Sequence, residues 1–452
     1  MLLSQFAIMV TYQTRTARRE NKFGDDFMKK IVAFSVSKLV AGLVFGLVLA
    51  GCSSKEPLEG VRKDMILSEV QQDEIDDTPV VLDQTSVNLN KNLKLLWSSD
   101  LEYGCSKSLR MASSVAVGNG KVFCIDAGGL VYAFDAKSGE KIWKKTTTIK
   151  GKDGQVGGAL SYSDGKLVVT SSFAEAFAFD ESNGEILWRI KLPACCKGDG
   201  ITIADGKVYM LCDNSSLQVV DIQDGKLLWS HSGMIMDTTY LGSAGVVVRD
   251  DVVYLSYPSG EVFALLGNGS VLWSSMLSKF SFVNAGESFS HPRACPIMKD
   301  NLIYFTSANR QITAFDAGSG NVVWKKDFGG LETPLVSGNS LFVLDSSADL
   351  VCLNKDNGKV RWTRRLKVGG SGNSGWFGRS EVPSAWFGPI QTSDGVAVLS
   401  SNGTLVMVSA EDGSIKSSRQ VGDFDQGITA RPIISENMLY LTVNDGTVLA
   451  YK

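Results

Sequence analysis

The side chains of this 452-residue chain that could do chemistry are eight cysteines, two histidines and 48 carboxylates. A metal or a nucleophilic centre needs several such groups at defined spacing. His231 and His291 each stand alone, and no His or Cys pair has the spacing of a metal site. No phosphate loop or nucleophile elbow occurs, and most Asp and Glu fall where turn chemistry explains them. The spacing thus offers no catalytic, cofactor-binding or metal-ligating set. The cysteines are more informative. Cys105 and Cys196 each lie eight residues past a tryptophan, Trp97 and Trp188, while Cys124 and Cys212 lie early in the strand after a Gly-Lys-Val signature. Equivalent places in two copies of a repeat predict two disulfides, Cys105–Cys124 and Cys196–Cys212. Cys352 is expected to be a small core residue, and Cys195 and Cys295 carry no assigned role.

The repeat that positions these residues is explicit. Gly139, Gly184, Gly225, Gly269, Gly320 and Gly358 each precede a tryptophan by four residues, in frames such as Ala133-Phe-Asp-Ala-Lys-Ser-Gly-Glu-Lys-Ile-Trp143. A seventh copy around Gly413 keeps the glycine and carries Ser417 where the tryptophan would stand. A period of roughly 45 residues means a repeat architecture. Each copy alternates short β-branched runs with Gly/Asn/Asp breaks, the pattern of strands and turns. The predicted fold is all-β, an eight-bladed β-propeller of four-stranded blades over residues 93–452. An orphan strand at Leu93-Lys-Leu-Leu-Trp97 is expected to pair with the C-terminal Gly446-Thr-Val-Leu-Ala-Tyr-Lys452, closing the ring without an open sheet edge. Seven tryptophans are then expected to pack against the next blade. Trp376 and Trp386 are left over.

The N-terminus carries an address. Met28-Lys-Lys opens a basic segment, and Leu39–Leu49 is an apolar run of signal-peptide length. It ends in Leu49-Ala-Gly-Cys52, which resembles the lipobox of bacterial lipoproteins. That resemblance implies a signal peptide over 1–51, with 1–27 as a start-site extension, and a lipid on Cys52. Ser53 after the cysteine favours the periplasmic face of the outer membrane. Residues 52–92 are polar and acidic and read as a flexible tether. The first 51 residues hold seven basic and three acidic side chains, leaving 38 against 45. An acidic mature chain gives no reason to expect nucleic acid as a partner.

The Ala-x-Asp-x-x-[Ser/Asn/Asp]-Gly-x-x-x-Trp frame is similar to the docking repeat of the pyrroloquinoline-quinone-like propellers. With a lipobox, a short tether and one ring, the chain resembles the BamB family of outer-membrane lipoproteins. The resemblance implies a non-enzymatic scaffold without cofactor. It also implies binding of the BamA POTRA domains within the Bam complex, as a single copy. The family's contact loops correspond to 231–240 and 284–293. The implied contact residues are Met234, Met236, Asp237 and Tyr240 in the first loop, and Glu287, His291 and Arg293 in the second. Met replaces the expected leucines, Asp237 stands where arginine is expected, and Glu287 is the sole acidic residue of the second loop, so charge is partly inverted. Two alternatives remain open at this point. One is a quinoprotein dehydrogenase, which shares the fold and in some members carries a disulfide between adjacent cysteines, as Cys195-Cys196 could form. The other is an envelope propeller with a different partner.

An insertion of Gly and Ser separates Trp362 from Gly395 and contains Trp376-Phe-Gly378 and Trp386-Phe-Gly388. Loop aromatics can anchor a partner or pack as a lid. Trp376 and Trp386 therefore join the candidate contact residues.

Overall fold

The computed structural model describes residues 75–89, 93–104, 114–147, 158–236, 244–277, 294–308, 310–366, 385–422, 424, 426–428 and 430–452. Among these residues thirty-two strands form eight four-stranded antiparallel sheets arranged as blades of a ring. Blade 1 runs from β2 (Ala116–Gly118) to β5 (Lys141–Thr146), and the following blades repeat this order from inner to outer strand. Blade 8 is composite. Its inner strands β30 (Ile433–Ser435), β31 (Met438–Thr442) and β32 (Thr447–Tyr451) are completed by β1 (Leu95–Asp100), which pairs antiparallel with β32. The orphan tryptophan strand thus closes the ring as its sequence implies.

Why the glycine and the tryptophan recur together is now visible. Each tryptophan docks on the hairpin glycine of the next blade rather than of its own. Gly139 has φ +70°, and a Cβ there would stand 2.5 Å from the Trp97 ring. Only glycine fits both the turn and the approach of the indole. The same contact joins Trp143 to Gly184 and continues round to Trp362 on Gly413. Each of the seven indole Nε1–H groups donates to a backbone carbonyl of that neighbouring hairpin at 2.7–3.0 Å. The indoles therefore bury their apolar faces with the polar edge satisfied, worth roughly 4–6 kcal/mol each as an upper value from area.

One junction differs. The hairpin missing from blade 8, where β32 and β1 come from opposite ends of the chain, is the place on which a blade 7 tryptophan would dock. Its position on β29 (Ile415–Gln420) holds Ser417. Across the ladder five of the seven docked tryptophans face alanine, such as Ala133 opposite Trp143, and the other two face Cys352 and Val219, whereas Ser417 faces Met407. Large and small have exchanged strands. Leu89 packs into the same cluster as Met407, Leu439 and Tyr451, and a cavity of 290 Å³ remains beside Ser417.

Leu89 belongs to a segment that corrects an expectation. Residues 52–92 read as a flexible tether, yet 75–89 lie fixed across blades 6, 7 and 8. Ile75 pairs parallel with Val360 on the outer edge of β25 (Val360–Arg365), and Asp76 N donates to Val360 O at 3.0 Å. Val81 exchanges hydrogen bonds with Asn339, Asp83 N donates to Ser337 Oγ, Ser393 N donates to Val87 O, and Asn88 N donates to Asn437 Oδ1. The Asp76 carboxylate lies 3.8 Å from the Arg361 guanidinium, with both side chains buried. Burial pushes the Asp76 pKa up, but hydrogen bonds from Thr78 and Asn354 and the Arg361 charge outweigh it and leave it below the usual carboxylate value. Asp76 and Thr85 are polar in sequence, but here their side chains accept from Thr78 N and Val87 N, as turn caps do.

Candidate functional site

The loop leaving blade 3 leans on two neighbouring turns, one in blade 4 and one in blade 3. Its strands include β11 (Lys207–Cys212), β12 (Ser216–Asp221) and β13 (Leu227–Ser232). As β13 ends, Gly233 N donates to Ser215 O in the β11–β12 turn at 2.9 Å. A Cβ at Gly233 would stand 2.3 Å from the Tyr257 ring, so this residue passes under blade 4 with no room for a side chain. His231 Nδ1 lies 2.8 Å from Tyr257 Oη, and its ring meets Phe263 edge-on at 4.7 Å. Met234 N donates to Glu261 Oε2 at 2.6 Å, and the Ser259 hydroxyl donates to that same oxygen. The backbone of the loop is thus clamped between blades 3 and 4. Partial burial holds the His231 pKa below its ordinary value, against the opposing pull of Glu261.

On this clamped backbone the side chains face outward. Met234 is 56% exposed and Ile235 is 74% exposed. Met236 is half-buried. Ile235, the most exposed of the three, was invisible to a reading based on alternation, because strand alternation stops at Gly233. Asp237, Tyr240, Glu287, His291, Arg293 and Trp376 lie outside the described residues, as do Cys52 and Cys105.

Trp386 requires a correction. It is not a loop anchor but the first residue of β26 (Trp386–Thr392), the inner strand of blade 7, and it is buried with Val396, Val398 and Leu366. Its side chain is unavailable to a partner.

The cysteines divide by environment. Cys196 and Cys212, predicted to be bridged, are buried free thiols here, with their Sγ atoms 2.6 Å apart. Cys124 is buried as a thiol in blade 1, and burial drives its pKa far up. Cys352 is a fully buried core residue of blade 6, where burial pushes its thiol to about 12. The half-buried Cys195 Sγ–H donates to Ser172 O, and Cys295 Sγ accepts from Gly245 N. Among the described residues no group of three or more His, Cys, Asp or Glu is placed to hold a metal ion. The buried Asp126 is a turn residue, accepting from Leu130 N and Tyr132 Oη.

A family model described as "Outer membrane protein assembly factor BamB" matches residues 81–153 and 127–364. The chain belongs to the BamB family. Its similarity to the BamB of Yersinia pestis is 22% identity over 426 residues, covering 91% of this chain and 98% of that one. The solved BamB of Moraxella catarrhalis has the same fold, with a TM-score of 0.67 at 16% identity over 80% of this chain and 100% of that one. A quinohemoprotein alcohol dehydrogenase of Comamonas testosteroni also shares the fold, with a TM-score of 0.61 at 13% identity over 82% and 78% of the two chains. At these identities both structures speak to the fold alone.

Proposed function

We propose that this chain is a non-enzymatic scaffold of outer-membrane protein assembly. In this reading a lipid on Cys52 anchors it to the periplasmic face of the outer membrane, and the loop after β13 docks on the POTRA domains of BamA. The observation that carries the reading is the pair Met234–Ile235, two adjacent exposed apolar side chains on a backbone fixed at both Gly233 and Met234. An apolar anchor that is already ordered loses little conformational entropy on binding. Thioether flexibility suits Met234 and Met236 to a partner surface that differs from the leucine-reading one. Asp237, Tyr240, Glu287, His291, Arg293 and Trp376 belong to the same proposed contact.

The test is co-purification from detergent extracts of the envelope. Ile235→Asp should weaken recovery of the barrel-assembly subunits roughly 30-fold, the equivalent of about 2 kcal/mol, at unchanged melting temperature. Undiminished recovery with this variant would remove the loop from the contact. Absence of those subunits with the unaltered protein would remove the scaffold reading itself.

A further inference from the structure

Beneath the contact loop, two thiols face each other. Cys212 ends β11, and Cys196 lies in the connector between β9 (Ile186–Lys191) and β10 (Ile201–Ala204). Their sulfurs, 2.6 Å apart, are closer than separate sulfur atoms rest, and a disulfide measures about 2.05 Å. The approach does not depend on the sulfurs alone. Asp213 N donates to Cys195 O at 2.8 Å, Thr170 Oγ1 donates to Cys196 O at 2.7 Å, and Ala159 bridges Gly198. The Asp213 bond, with Leu211 N donating to Gly200 O at 2.9 Å, ties the connector to the end of β11, while Thr170 and Ala159 fix it against blade 2.

We propose that Cys196 and Cys212 form a disulfide in the mature protein, and that it staples the turn on which the contact loop rests. This rests on the envelope location of the preceding reading, because disulfides persist in oxidising compartments. The staple reaches the loop in two steps. Cys212 leads directly into the Asp213–Ser215 turn, and Ser215 O accepts from Gly233, the residue before Met234. In the bond-forming step each thiol gives up its proton and one S–S bond forms. The two electrons and two protons reduce the disulfide of an envelope thiol oxidant to a dithiol. Both cysteines are at most 1% exposed, so the exchange takes place before blade 3 closes. Once closed, the bond is shielded from soluble reductants. Cys195 remains a thiol, with its Sγ–H engaged by Ser172 O.

The test uses the full chain purified from the envelope fraction. It is unfolded without reductant in the presence of a maleimide, digested and mapped by mass spectrometry. The expected result is a Cys196–Cys212 linked peptide pair, with label on Cys195. Label on both Cys196 and Cys212, or a Cys195–Cys212 link, overturns the assignment. If the protein instead fractionates with the cytosol, the location fails and not the pairing; oxidation of the purified chain during refolding by oxidised glutathione then decides, a linked pair supporting the geometry and free thiols sinking it. As a second variant, Cys195→Ser should leave the link intact. Cys196→Ser with Cys212→Ser should lower the melting temperature by several degrees and speed amide exchange at Asp213–Ser215 and Gly233. Unchanged exchange at Gly233 would overturn the link between staple and loop.

Discussion

Seven of the eight blade junctions are alike, and the eighth solves the same problem with different residues. At a docked junction a tryptophan, a facing small residue and a hairpin glycine on the next blade interlock. At the seam between blades 7 and 8 there is no hairpin to dock on, and Ser417, Met407 and Leu89 take the three places. The tryptophan is therefore absent at the one junction where its receptor hairpin is missing. The comparison teaches that the motif is a two-blade device. Each half has value only when the other is present.

The largest effect should come from breaking a docked junction. Trp273→Ala removes an indole that packs on Gly320 and hydrogen-bonds to Ala317 O. Chemical denaturation should show a loss of about 3–5 kcal/mol, and a loss under 1 kcal/mol would contradict the interlock. At the seam, Leu89→Ala should cost less, about 2 kcal/mol, since the site already borders a cavity and can relax. A cost as large as that of Trp273→Ala would mean that the seam is as tightly interlocked as the rest. A double-mutant cycle sharpens the point further. Ser417→Trp should destabilise beside Met407 but recover about 1 kcal/mol on a Met407→Ala background, a coupling that exchange of large and small across one ladder requires. Strict additivity would refute the exchange.

The smallest expected effect is a pH dependence at the blade 3–4 junction. The fold lowers the His231 pKa, so below its ordinary value of 6.5 the unfolded chain takes up the proton first. Stability should then fall slightly as pH drops through that region, and His231→Phe should remove this part of the slope in thermal melts. An identical slope in the variant would assign the dependence to other groups.

The ring was legible because its cause is local and repeated. Turn glycines, β-branched runs and tryptophans recur in register, and even the closing strand could be found from an unpaired Trp97. The strap over 75–89 was not legible. Its partners Asn339, Ser337 and Asn437 lie more than 250 residues away, and a polar run that satisfies distant turns has the composition of a linker. Trp386 was misplaced for another reason. Gly388-Pro389 looks like a loop, but β26 continues through it by a register shift between Phe387 and Ile390, and a bulge is one place in a strand that tolerates proline. The loop after β13 was singled out only through the family resemblance, and the prominence of Ile235 depends on where Gly233 turns the chain.

The strap also gives one outer edge a different fate. On β25 the first residue, Val360, is 1% exposed because Ile75 lies along it, whereas Leu227 at the start of β13 is 53% exposed. Open outer edges carry charges such as Lys141, Lys144 and Lys145 on β5, which discourage pairing with another chain.

Closure by β1 and the strap has a consequence in time. Asp100 meets Thr447 across 347 residues of sequence, and the strap's own partners are likewise late in the chain. Residues synthesised first must wait unpaired until those synthesised last arrive. Contacts so remote in sequence slow folding, so the half-made ring has an interval in which Leu89 and the face of Trp97 lie bare. The most vulnerable moment of this protein falls just before its final strand appears.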